Sequence, residues 1–127
     1  MTENQIGMPA ILIDIKGRRI RIHKNTLYLL GKPNYILLMV NPDTKTIAIT
    51  PSTRVETAHR VRWEYFGNRQ SCELYSSSLV HSLHELCPEW LSTGKYRLNG
   101  EYIPAEKIVR FHMNGASEIN ERVAGYE

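Results

Sequence analysis

The chain has 127 residues, 42% of them hydrophobic and 23% charged, the size and make-up of one globular domain spanning 1–127 with a core of its own. Its longest apolar run, Ile36 to Val40, is five residues, against the roughly 20 of a membrane span. The opening segment MTENQIGMPA has neither a basic start nor an apolar stretch, so a cytoplasmic protein is expected, with Cys72 and Cys87 as reduced thiols. Net charge is +3 and unevenly spread. Six basic residues fall between Lys16 and Lys32 with no acid between Asp14 and Asp43, whereas residues 85–127 carry seven acids and five bases. Such a concentration either steers an anionic partner or marks a solvated strand face.

In chain order, Ala10–Ile15 and Arg19–His23 are β-branched runs joined through Lys16, Gly17 and Arg18, a hairpin with its turn at Gly17. Period two sends Ile20 and Ile22 to the core and Arg19, Arg21 and His23 to the opposite face. Asn25 or Thr26 caps a short, nearly enclosed helix over Leu27–Leu30 that stops at Gly31, with Pro33 beyond. Tyr35–Val40 and Thr46–Thr50 make a second hairpin, turning through Asn41 to Lys45. Residues 51–58 read as a linker.

The pattern then recurs: a strand over Arg60–Phe66, a turn at Gly67-Asn68, a strand over Ser71–Tyr75, a serine-capped helix from Leu79 to about Leu86, and strands over Lys95–Tyr102 and Lys107–His112. Setting Leu27 over Leu79 aligns Asn25-Thr26 with Ser77-Ser78. The expected fold class is therefore α+β, two ββαββ halves (10–51 and 59–113) related by a pseudo-twofold. The tail, 114–127, is expected to hold a weak helix at Ser117–Val123 or no order. Ile20, Ile22, Leu27, Leu30, Leu79, Leu83 and Leu86 are the expected core.

Three constellations bear on chemistry. His81, His84 and Cys87 have a spacing suggestive of a metal site, but at about 100° per residue the cysteine joins the apolar arc of Leu79, Val80, Leu83, Leu86 and Trp90 while both histidines fall on the other side. Ser76–Ser78 precede a helix, yet no Gly-x-Ser-x-Gly elbow surrounds them and capping explains them. No glycine-rich phosphate loop and no evident carboxylate pair accompany them, so no enzyme, metal, cofactor or small-molecule substrate is expected. The third is basic: Arg19, Arg21 and His23 on one strand face with Lys16, Arg18 and Lys24 at its ends, and Arg60 and Arg62 about Trp63. Arginine forks at strand spacing suit a nucleic-acid backbone, with Trp63 assigned to core packing.

Gly17-Arg18-Arg19-Ile20-Arg21-Ile22-His23, followed after Lys24 by Asn25-Thr26-Leu27-Tyr28-Leu29-Leu30-Gly31, resembles the AbrB/MazE/SpoVT swapped-hairpin family over residues Ile11 to Pro51. His23 stands where that family has a strand-ending proline, and Leu27 and Tyr28 stand where members often carry helix arginines. A tandem copy would be similar to the two-unit arrangement of MraZ-type regulators. The resemblance implies a dimeric DNA-binding transcription regulator or antitoxin-like protein folded as a swapped-hairpin barrel. The same element order also suits a TATA-binding-protein-like saddle. The expected phosphate contacts are Arg18, Arg19, Arg21 and Lys24. The alternative is a non-enzymatic protein-interaction module, such as one from a mobile element, whose basic face takes an acidic partner.

Overall fold

The computed structural model describes residues 7–53 and 57–119. Its elements are β1 (Ala10–Asp14), β2 (Arg19–His23), α1 (Lys24–Leu29), β3 (Tyr35–Asn41), β4 (Thr46–Pro51), β5 (His59–Arg60), a 3-10 turn (Trp63–Tyr65), β6 (Ser71–Tyr75), α2 (Ser77–Leu86), β7 (Lys95–Ile103), β8 (Ile108–His112), a second 3-10 turn (Met113–Gly115) and β9 (Ser117–Glu118). All recorded strand pairs are antiparallel, in the order β5-β3-β4-β8-β7-β1-β2-β6, with β9 added to β7. The sheet curls into a nearly closed barrel rather than an open saddle. Its two end strands, β5 and β6, line one cleft without pairing among the described residues.

Inside lies one continuous core, to which β1 gives Ile11 and Ile13, β2 Ile20 and Ile22, β4 Ile47 and Ile49, and β8 Val109 and Phe111. Each is an alternate residue of its strand, as a sheet with one face inward demands. β7 lets the sheet bend on itself. Residues 95–99 pair with β1 and residues 100–103 with β8, so the strand changes partner at Gly100. A Cβ there would lie 2.6 Å from the ring of Phe111, so only glycine lets that ring fill the bend.

Turn chemistry fixes the hairpins. In the first, Gly17 N–H donates to Asp14 Oδ1 at 2.9 Å. Arg18 takes the left-handed conformation, at φ 54°, and the glycine is needed instead for room, since its Cβ would sit 2.5 Å from Asp14 Oδ2. The β3–β4 and β7–β8 hairpins share one register: moving Met39↔Ala48 by 62 residues gives Glu101↔Arg110. Both turn through Pro-x-x-Lys, with Lys45 at φ 54° and Lys107 at φ 56°.

Several expectations are corrected. α1 is capped by His23, whose Nδ1 accepts from Asn25 N–H at 3.1 Å, not by Asn25 or Thr26. Thr26 is instead fully buried, and its hydroxyl both receives from Ala10 N–H (3.1 Å) and donates to Ala10 C=O (3.2 Å). It extends the ladder of β1 where β2 has given way to helix. Tyr28 on the same helix is exposed. Arg60–Phe66 is not a full strand. Trp63 stacks between Tyr28 and Phe66 and donates from Nε1 to Pro33 C=O at 2.8 Å, and these ties wind Trp63–Tyr65 into a 3-10 turn. In α2 the buried residues are Val80 and Leu83, while Leu79 and Leu86 are only partly buried beside them, and Ser76 is the cap. Ser117 and Glu118 belong to strand β9, not to a helix, and the rest of the tail lies outside the described residues.

Candidate nucleic-acid interface

The outward face of β7-β1-β2-β6 is laid out by register in rows. Lys95, Asp14, Arg19 and Tyr75 form one, and Arg97, Leu12, Arg21 and Glu73 the next. Arg19 and Arg21 thus leave the core face as period two requires, but two carboxylates meet them. Arg19 Nε lies 3.0 Å from Asp14 Oδ2 and its Nη1 3.3 Å from Glu73 Oε1, while Arg21 Nε lies 3.1 Å from Glu73 Oε2. The Tyr75 hydroxyl donates to Glu73 Oε1 at 2.7 Å and accepts from Arg19 Nη1 at 3.3 Å. Hydrogen bonding from Tyr75, with the charges of Arg19 and Arg21, holds the Glu73 carboxyl below its ordinary value although partial burial opposes them. Burial pushes the Asp14 carboxyl upward, but the Gly17 N–H, Arg19 and the charge of Lys95 outweigh it and leave it lowered. These arginines are therefore partly spoken for within the fold.

A second set of arginines faces the open side of β6. A groove of about 290 Å³ runs there, lined by Arg60, Arg62, Arg69, Tyr65, Tyr75 and Glu73 among others. Arg60 Nη2 is 3.2 Å from Glu64 Oε2, an exposed pair of little energetic weight. Arg62 and Arg69 have no carboxylate partner among the described residues, and the Arg62 guanidinium lies over the Tyr65 ring at 5.8 Å. An adjoining cleft of about 280 Å³ reaches between β5 and β6 down to Ile22 and Ile36. The bonds from Lys24 N–H to Gln70 C=O and from Ser76 N–H to Arg18 C=O set the phase of the β2–β6 ladder. Cys72 and Leu74 therefore turn their main-chain groups to β2, while Ser71, Glu73 and Tyr75 turn theirs to the groove.

The sequence marks Arg60 and Arg62 but misses Arg69, Tyr65 and Tyr75; the signal available for Arg69 was its place just past the Gly67-Asn68 turn. Trp63 is held against the core, as assigned. Arg18 is exposed and lies apart, lining with Lys16, Ser77, His81 and His84 a cleft of about 270 Å³ at the start of α2. Lys24 is half-buried at the start of α1. The structure thus does not bring Arg18, Arg19, Arg21 and Lys24 into one concave site.

α2 separates the residues of the suggested metal constellation. His81 is exposed beside Glu85 (3.1 Å), His84 Nε2 meets Trp90 C=O at 2.7 Å, and Cys87 is buried in the core. No cluster of three metal-ligating side chains occurs among the described residues. Burial pushes the Cys72 thiol up to about 11 and raises Cys87 as well, so neither is a thiolate near neutrality. No helix among the described residues is long and apolar enough to cross a membrane. In comparisons with known proteins, no family model, curated protein or solved structure matches the chain.

Proposed function

We propose that this chain is a non-catalytic DNA-binding module of the transcription-regulator or antitoxin-like kind, built from two fused ββαββ units related by a pseudo-twofold. The observation that carries binding is the convergence of Arg60, Arg62 and Arg69 with two exposed tyrosines along an open strand edge. Arginine forks suit phosphate, and phosphate contact supplies most affinity for nucleic acid while leaving sequence choice to other groups. Arg18 and Lys24 lie outside this groove and would be further contacts beyond it, and Arg19 and Arg21 join it to the extent that Glu73 releases them.

The pairing pattern supports the two-unit reading. Exchanging β1 with β5, β2 with β6, β3 with β7 and β4 with β8 carries β1–β7 onto β5–β3 and β3–β4 onto β7–β8. It leaves β2–β6 and β4–β8 unchanged. The counterpart of β1–β2 would be β5–β6, and that position is the seam. Such an order suits the swapped-hairpin architecture that the first half resembles.

One observation favours a second reading. The outward main-chain groups of Ser71, Glu73 and Tyr75 would let an extended acidic segment of another protein add to β6. Titration of mixed-sequence DNA, native and heat-denatured, at low and moderate salt decides between them. Binding that weakens with salt is expected, and no association of either form at tens of micromolar protein overturns the proposal, since non-specific binding typically falls at or below about 10⁻⁴ M.

A further inference from the structure

We infer that the β6 groove accepts an unpaired stretch of nucleic acid, threading a single strand between the Arg60–Arg69 wall and the edge of β6. This rests on the nucleic-acid-binding reading above and specifies the form of the ligand. Proteins that read a duplex push a helix or a two-stranded ribbon outward into its major groove. Here the unpartnered arginines line a concavity of about 290 Å³, which a separated nucleotide chain enters and a duplex does not. Aromatic rings stand at the same place: Tyr65 is 62% and Tyr75 65% exposed, unusual for rings of that size. Stacking of unpaired bases on such rings, with charged forks along the backbone, is how single strands are held without sequence preference. Arg62 over Tyr65 (5.8 Å) and Arg19 over Tyr75 (6.0 Å) keep both rings beside a cation. The outward main-chain groups of Ser71, Glu73 and Tyr75 add donors and acceptors for base edges. Glu73, the one acid among the described residues of the groove lining, is held by Arg19, Arg21 and Tyr75.

The test is fluorescence anisotropy with labelled oligothymidylate, oligouridylate and a mixed-sequence DNA duplex of equal length, over a range of salt. Either single strand, or both, is expected to bind at least about tenfold more tightly than the duplex, and the pair of strands tells DNA from RNA. Tyr65→Ala should weaken single-strand binding about tenfold while Tyr65→Phe, which keeps the ring, retains it. Arg62→Ala with Arg69→Ala should flatten the salt slope by about 1.4 units, at about 0.7 per lost contact to a single strand. Both sites are exposed, and an unchanged thermal midpoint checks the fold. Duplex binding as tight as single-strand binding, or single-strand binding indifferent to Tyr65 and to the two arginines, overturns this inference and leaves the wider reading standing. Binding of none of the three overturns both.

Discussion

Replacing Thr26 with valine removes one hydroxyl and keeps the side chain's shape. Thr26 is fully buried and Ala10 is 3% exposed, so water does not reach what the change leaves behind. The neighbouring ladder cannot help. Gly100 N–H bonds Pro9 C=O and Ile15 N–H bonds Gly94 C=O, a phase in which the odd-numbered residues of β1 face β7 and Ala10 faces the β2 side. On that side the recorded pairing starts only at Ile11↔Ile22, because His23 already caps α1. Thr26→Val therefore strands both the N–H and the C=O of Ala10. At about 1–3 kcal/mol for each of the two unpaired buried groups, the loss should be roughly 2–6 kcal/mol, a large part of the 5–15 kcal/mol typical of a domain. Thr26→Ser keeps both bonds and gives up one methyl, about 1 kcal/mol. Chemical denaturation of the three proteins measures the difference. A valine variant as stable as the serine variant would refute the claim that this hydroxyl completes the β1 ladder.

Gly100→Ala should destabilise by about 1–3 kcal/mol, because the new methyl meets the fully buried Phe111 ring, and pairing it with Phe111→Leu should recover part of the loss in urea titrations. His23 has its pKa lowered by burial and by the charges of Arg97 and Lys24. Its unfolded form therefore binds the proton first, and stability should fall as pH drops from about 7 through 6.5 toward 5. His23→Asn, which keeps an acceptor that does not titrate, should lose less over that window; equal losses in thermal midpoint would count against the cap. Glu73→Gln should cost under about 1 kcal/mol, given that its partners are part-exposed, and should raise DNA affinity by freeing Arg19 and Arg21. Unchanged affinity in the same anisotropy titration would place those two arginines outside the interface.

Three of the hairpins were legible because at least one strand of each alternates apolar and polar residues, a pattern that is local. Ile20 and Ile22 can only share a face, and the Pro-x-x-Lys and Lys-Gly-Arg turns bracket their strands. What sequence could not supply was anything decided by a distant partner. RVRWEYF alternates as well as any strand here, yet Trp63 is claimed by Tyr28 and Pro33 from the other half of the chain, and propensity yields to that packing. His23 was read as a basic group on a strand face, and only the helix start one residue later makes it a cap. The same limit governs the site. That Arg19 and Arg21 face outward follows from period two. That Glu73 lies opposite Arg21 follows from β2 pairing with β6 across 52 positions, which no local spacing encodes.

The seam and the groove have one cause. A full β5–β6 hairpin would close the barrel and bury the edge of β6 in a ladder, as β1 does for β2. The capture of Trp63 by the first half ends β5 after two residues and winds Trp63–Tyr65 into a 3-10 turn, so the chain cannot run alongside β6. Arg60, Arg62, Tyr65 and Arg69, which would have been spread over two faces of a strand and its turn, are gathered instead along one wall of the opening. An open edge is a liability that proteins commonly blunt with charge, and the arginines serve that end whatever else they bind. Charge alone would do for protection, however, and would not call for two tyrosines more than 60% exposed beside it. Those rings separate the functional reading from the protective one, which is why the comparison of Tyr65→Ala with Tyr65→Phe, rather than the loss of any arginine, discriminates between them.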